Sequence, residues 1–136
     1  MTAHITPEMQ ALWANDHAPR EFGMILISAY DGHAELQVKL DQRHMNSHGI
    51  GHGGMIATLA DSAAGFAANS NGGMAVTQTN AITYLTPARC GDALTAKAVP
   101  VAHSGRSAIF DVTVTAQDGR TVAILRAQMR YIPPRA

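Results

Sequence analysis

The chain contains one cysteine, Cys90, so no disulfide can form within it. This argues against a fold stapled by cross-links and for a reducing compartment, the cytoplasm. A charge surplus is missing too. Ten basic and ten acidic residues cancel to a net charge of +0. Without a basic excess, neither nucleic acid nor an anionic membrane surface is expected as the main partner. No apolar run is long enough to span a bilayer. The N-terminus, MTAHITPEMQ, lacks the basic flank and apolar stretch of a secretory leader. No repeat or low-complexity segment is present.

What is present suits one compact unit. The 136 residues are 46% apolar, enough for a single domain over 1–136 with its own core, opened by a helical segment over 1–20. Thr6-Pro7-Glu8 predicts a helix start, with Thr6 as N-cap and Pro7 in the first turn. Met9, Leu12 and Trp13 then share a face, and Pro19 is expected to close the helix. Residues 22–30 and 33–40 read as strands joined at Asp31-Gly32, a hairpin signal. Residues 41–54 read as a glycine-rich loop and 54–68 as the one long helix. Strands are expected over 75–86, 92–103, 106–117 and 120–132, broken near Pro87, Gly91, Gly105 and Gly119, as an antiparallel meander. The fold class is α+β: one antiparallel sheet covered by one principal helix.

Residues 49–65, GIGHGGMIATLADSAAG, satisfy G-x-G-x-x-G through Gly49, Gly51 and Gly54. A dinucleotide-binding turn needs a buried strand before the first glycine and an acid about twenty residues on. DQRHMNSH is no strand, and beyond Asp61 the next acid is Asp92. The match is accidental. What remains is Gly53-Gly54 at a helix N-terminus, where free N–H groups suit an anion or a developing oxyanion. The glycines equally suit a loop that simply turns into a helix.

Between Arg43 and Arg89 the only formally charged side chain, histidines aside, is Asp61. At the chain's own 15% charge such a window would hold roughly seven. The helix is therefore apolar nearly all round and buried. On a wheel, Met55, Leu59 and Phe66 cluster with Ile56 and Ala63. Asp61 lies opposite among Ala57, Ala64, Gly65 and Ala68, with Thr58 the nearest polar neighbour. An acid in such a setting is either satisfied by a partner or kept for chemistry. If Gly53 and Asp61 act on one carbonyl, both must lie within about 3 Å of one atom. Eight helical residues hold them about 12 Å apart. Two antiparallel helices about a two-fold axis, crossing near Ala57, bring Gly53 of one copy to Asp61 of the other. The expectation is an obligate homodimer with two interfacial sites.

His44, His48 and His52 recur every four residues, which on a helix would suggest a metal face. Gly49, Gly51 and Gly53 speak against that helix, and no metal or other cofactor is expected. Cys90 has no histidine beside it in sequence, and Ser62 lacks a nucleophile-elbow setting. Thr77 and Thr79 alternate on the strand after the helix, as ordinary strand formers or as hydroxyls near the site.

HMNSHGIGHGGMIATLADSAAGFAANSNGG, with Tyr84, Pro87 and Gly91-Asp92, resembles the hotdog-fold acyl-CoA thioesterases of the phenylacetic acid degradation type. The resemblance runs from about residue 20 to the C-terminus. It implies a long helix wrapped by an antiparallel sheet, dimers that associate into homotetramers, and metal-free hydrolysis of acyl-CoA. It implies Asp61 as nucleophile or general base, with the Gly53 N–H of the partner protomer polarising the carbonyl. His52 and Asn46 match positions that bind the carbonyl or place water. Thr79 falls where relatives carry a small hydroxyl residue, although Asn71-Gly72-Gly73-Met74 is one residue longer than in some of them. Gly54, Met45, Phe66 and Tyr84 are candidates for the substrate pocket, and Arg89 and Arg106 for the phosphates of CoA. The substrate expected is an aryl-acyl-CoA such as phenylacetyl- or hydroxyphenylacetyl-CoA. The alternatives are a hotdog hydratase or dehydratase, in which His52 and Asp61 supply acid and base, and a non-catalytic acyl-CoA-binding module.

Overall fold

A computed structural model describes residues 4–133. Thr6 caps helix α1, Pro7–Ala14, by accepting a hydrogen bond from the Met9 N–H. Pro19 does not end this helix. α1 stops at Ala14, and Pro19 lies buried in the first turn of a second short helix, α2, His17–Glu21. An N–H is dispensable in a first turn, so proline fits there. Of the face expected on α1, Met9 is buried, Trp13 packs edge-on against Phe66, and Leu12 stays exposed.

Strands β1 (Ile25–Tyr30) and β2 (His33–Lys39) form the expected hairpin. Asp31 and Gly32 have φ of 47° and 82°, the left-handed pair that matches strand twist. Helix α3, Gly53–Asn69, follows, then β3 (Met74–Tyr84), β4 (Ala93–Ser104), β5 (Ser107–Ala116) and β6 (Thr121–Ile132).

The six strands pair antiparallel throughout, but their order is β1-β2-β4-β5-β6-β3. The meander expected for the last four strands holds only for β4-β5-β6. β3 leaves its sequence neighbour β4 and pairs with β6 at the far edge. The reason is α3, whose 17 residues span about 25 Å. That length carries the chain across a sheet whose strands repeat every ~4.8 Å. α3 touches all six strands. This is the α+β hotdog fold: a sheet wrapped around one long helix.

Ile56, Leu59, Ala60, Ala63 and Phe66 fill the concave side of the sheet with Leu36, Leu94, Phe110, Val112 and Leu125. Met55, expected among them, is only half-buried. On the Asp61 face, Ala64 and Ala68 are fully buried, leaving Ala57 and Gly65 half-open. β3 is an 11-residue edge strand exposing Met74, Val76 and Tyr84. Its outer row of backbone donors and acceptors has no neighbouring strand among the described residues.

Candidate active site

The loop before α3 is organised from below by His44, which is fully buried. Its Nδ1 accepts from the Asp41 N–H at 2.9 Å, so its Nε2–H donates to the Phe22 carbonyl at 2.7 Å. The His44 carbonyl in turn accepts from the His52 N–H at 2.8 Å. The histidines spaced by four thus share no helical face: His44 sits in a 3-10 turn (Gln42–His44), His48 is exposed, and His52 is the N-cap of α3. Asn46 ties the loop by accepting from the N–H groups of His48 and Ile50 through Oδ1.

The helix tip follows from hydrogen-bond accounting. Four N–H groups begin an α-helix without intrahelical partners. At α3, Met55 and Ile56 donate to the His52 carbonyl, and Gly54 donates to His52 Nδ1 at 2.8 Å. Gly53 is the N–H left over among the described residues. Its carbonyl accepts from the Tyr84 hydroxyl at 2.8 Å, and an added Cβ would meet the Tyr84 ring at 3.2 Å. Partial burial raises the Tyr84 pKa above its ordinary value. Asn46, Gly53 and Tyr84 line one cavity of about 360 Å³, with Pro87 and Ala88 opposite.

Two turns further along α3, Asp61 lines a different cavity, of about 380 Å³, with Thr58, Phe66, Thr77 and Met129. Its Oδ1 accepts from Thr77 Oγ1 and from Asn80 Nδ2, both at 2.9 Å. Oδ2 accepts nothing from the described residues. Thr58, the expected polar neighbour, turns back to the Gly54 carbonyl instead. The Thr79 hydroxyl does not meet Asp61; it points to Gln128. A register shift between Thr77 and Thr79 is responsible. The bulge breaks strict alternation and brings Thr77 and Asn80, three apart, to the helix side. Sequence reasoning missed Asn80 for the same reason. It also missed Asp16, which lines the Asp61 cavity from the corner between α1 and α2.

Met45, His52, Gly54, Arg89 and Arg106 fall outside these cavities. Met45 is half-buried and packs on the core. His52 and Gly54 are occupied with capping one another. Arg89 and Arg106 are exposed, on the turn before β4 and in the β4–β5 hairpin. Phe66 lines the Asp61 cavity while 97% buried against the core and Trp13 (3% exposed). The Asp61 and Gly53 groups thus occupy separate hollows of one chain.

The fold is that of the hotdog enzymes that cleave thioesters. The chain belongs to the Thioesterase superfamily, whose family model matches residues 48–123. It is 34% identical over 123 residues to the acyl-coenzyme A thioesterase PaaI of Escherichia coli, covering 90% of this chain and 87% of that protein. The structure of the E. coli PaaI protein from the phenylacetic acid degradation operon superposes with a TM-score of 0.88 at 31% identity, covering 91% and 90% of the two chains. A Streptococcus pneumoniae thioesterase protein solved with coenzyme A matches at a TM-score of 0.78 and 30% identity, over 83% and 91%. That protein has also been solved with an aspartate and, sixteen positions later, a threonine each replaced by alanine.

Proposed function

We propose that this enzyme hydrolyses aryl-acyl-CoA thioesters, of the phenylacetyl- or hydroxyphenylacetyl-CoA kind, to the free acid and CoA. The observation that carries the reading is the asymmetry of Asp61. Two neutral donors hold Oδ1, while Oδ2 takes no hydrogen bond from the described residues and the side chain borders a cavity. A carboxylate so arranged is positioned yet still free to react. The relatives support it: one is named an acyl-coenzyme A thioesterase, and another was solved with coenzyme A. Asp61 and Thr77 stand sixteen apart, the spacing of the two positions altered in the S. pneumoniae protein.

In this mechanism the thioester carbonyl lies against the unpaired Gly53 N–H of a second copy, at the positive end of its α3. Asp61 Oδ2 either takes a proton from water as it adds to the carbonyl carbon or attacks that carbon itself. Negative charge develops on the carbonyl oxygen and is stabilised by the Gly53 N–H. The C–S bond then breaks, with its electron pair leaving on the thiolate of CoA. On the anhydride route, water subsequently releases the acid from Asp61. The separate hollows for Asp61 and Gly53 in one chain support a homodimer built across β3 and α3, with dimers pairing into a tetramer. Arg89 and Arg106 are available for CoA phosphates at the surface.

The test is release of free thiol from phenylacetyl-CoA by wild type and Asp61→Asn. The wild type is expected to turn over, and the variant to lose activity while keeping its oligomeric state. Wild-type-like turnover in Asp61→Asn would sink the reading.

A further inference from the structure

The cavity beside Asp61 holds a second acid. Asp16 lies between α1 and α2, at the N-cap of α2, where its side chain makes no capping hydrogen bond. Its contribution to helix α2 is therefore small, and its carboxyl is free to act on the cavity. Leu12, Phe66, Ala75 and Met129 give that cavity apolar walls. No lysine, arginine or histidine is among the described residues lining it. Burial lifts the Asp16 carboxyl above its ordinary pKa, His17 draws it down, and the charge of Asp61 lifts it again. Among the described residues, His17, outside the lining, is the group that opposes this rise at Asp16. Arg20, on the same helix, is exposed and engaged with the Ala14 carbonyl.

We propose that the cavity beside Asp61 receives the acyl group and that Asp16 is a specificity-determining residue there: together with Asp61 it makes the cavity doubly acidic and bars acyl groups that carry their own carboxylate. The proposal rests on the thioesterase reading for its substrates and adds the charge rule that reading lacks. A carboxylate held about 6 Å from each of two acids, at an effective dielectric near 40 in this half-open hollow, loses roughly tenfold in binding to each and a hundredfold in all. The apolar walls offer no counter-charge to offset this. Neutral acyl groups meet no such penalty, so the cavity sorts by charge as well as by size.

The experiment uses an isosteric pair, 4-carboxyphenylacetyl-CoA and 4-carbamoylphenylacetyl-CoA, which differ in charge and hardly in shape. Wild-type kcat/KM is expected to favour the carbamoyl thioester by about a hundredfold. Asp16→Asn should raise the rate on the carboxy thioester about tenfold and leave the carbamoyl thioester within about threefold. Asp16→Arg should go further and reverse the preference. An unchanged ratio in both variants, or an equal fall on both thioesters, would overturn the assignment. Binding of the corresponding non-hydrolysable thioethers, measured by calorimetry, reads the same ratio without turnover. A charge preference that binding shows and Asp16→Asn relaxes, in a protein that hydrolyses neither thioester, would break the thioesterase reading and uphold Asp16. Equal binding of the two thioethers by wild type would overturn Asp16 whatever the turnover.

Discussion

Asp61 and Asp92 are both carboxylates folded into this molecule, and their partners differ in kind. Asp92, 7% exposed, is closed off. It accepts from Gln117 Nε2 at 3.0 Å, from the Arg89 N–H at 2.9 Å, and from Arg120 Nη2 at 2.9 Å. These bonds hold its pKa down to about 2. Among the described residues Asp61 has no cation beside it, two neutral donors on one oxygen and none on the other, and its side chain borders a cavity. An acid whose every oxygen is bonded and whose charge is neutralised can only hold structure. An acid that is half held can hold a position and still react. The distinction lies in the surroundings and not in burial, since the structural acid is the more buried of the two.

Replacing each acid in turn sharpens this contrast, and the largest effect is expected at Asp61. Asp61→Asn keeps the Thr77 hydrogen bond, removes the nucleophile or base, and should cut kcat about a thousandfold. Thermal unfolding should stay within a few degrees of wild type. A comparable fall in stability would place Asp61 with Asp92 as a structural group. Next in size is the helix tip. His52 has φ −64° and ψ 130°, extended backbone that a following proline requires. Gly53→Pro therefore deletes one N–H at a position where proline suits a helix, although the Tyr84 ring must yield slightly. Loss of about a hundredfold in kcat is expected. Mixing this variant with Asp61→Asn should restore one working site per heterodimer. Persistent inactivity after demonstrated subunit exchange would count against a site shared between copies.

A smaller effect separates the two threonines. Thr77→Ala removes one of the two donors on Asp61 and should cost about tenfold in kcat, the worth of one hydrogen bond to a charged group. Thr79→Ala should change kcat by less than about twofold, because its hydroxyl faces Gln128. Steady-state rates on one acyl-CoA decide between them, and equal losses would refute the assignment by geometry.

This pair also marks where the sequence ceases to be legible. Asp61 stands out because its window is otherwise uncharged, and Gly53-Gly54 stand out because a glycine pair opens an apolar run. Both signals are local, and the helix they sit on follows from composition and periodicity. The strand positions were legible to within three residues for the same reason. The partner of Asp61 was not. Alternation along a strand makes Thr77 and Thr79 equivalent, and only a bulge set by pairing with β6 tells them apart. Strand order was equally hidden, because β3 and β4 read as neighbours until the length of α3 is laid across the sheet. Asp16 carried no signal, since it reaches the cavity through a break between two short helices that appeared as one.

Little effect on activity is expected at Asp92, where the change should be one of stability. Arg120, which Asp92 holds, also donates to the Pro87 carbonyl at 3.1 Å. Next to Pro87, Ala88 accepts from the Gly51 N–H at 2.7 Å and packs close, since a Cβ on Gly51 would lie 3.1 Å from the Ala88 Cβ and one of the two would have to shift slightly. The ion pair thus braces one wall of the Gly53 cavity without entering it. Asp92→Asn should lower stability by about 2 kcal/mol at pH 7 and leave kcat within about threefold. The folded pKa, about 2, lies below the ordinary 3.8, so the contribution is complete above roughly pH 4 and disappears as pH falls toward 2. Asp111, held low by Arg126, adds to the same acid sensitivity and is untouched by the substitution. Urea midpoints for wild type and Asp92→Asn should therefore differ most near pH 7 and converge on acidification. A gap that stays constant from pH 7 to pH 2.5 would mean that packing, not charge, holds this corner together.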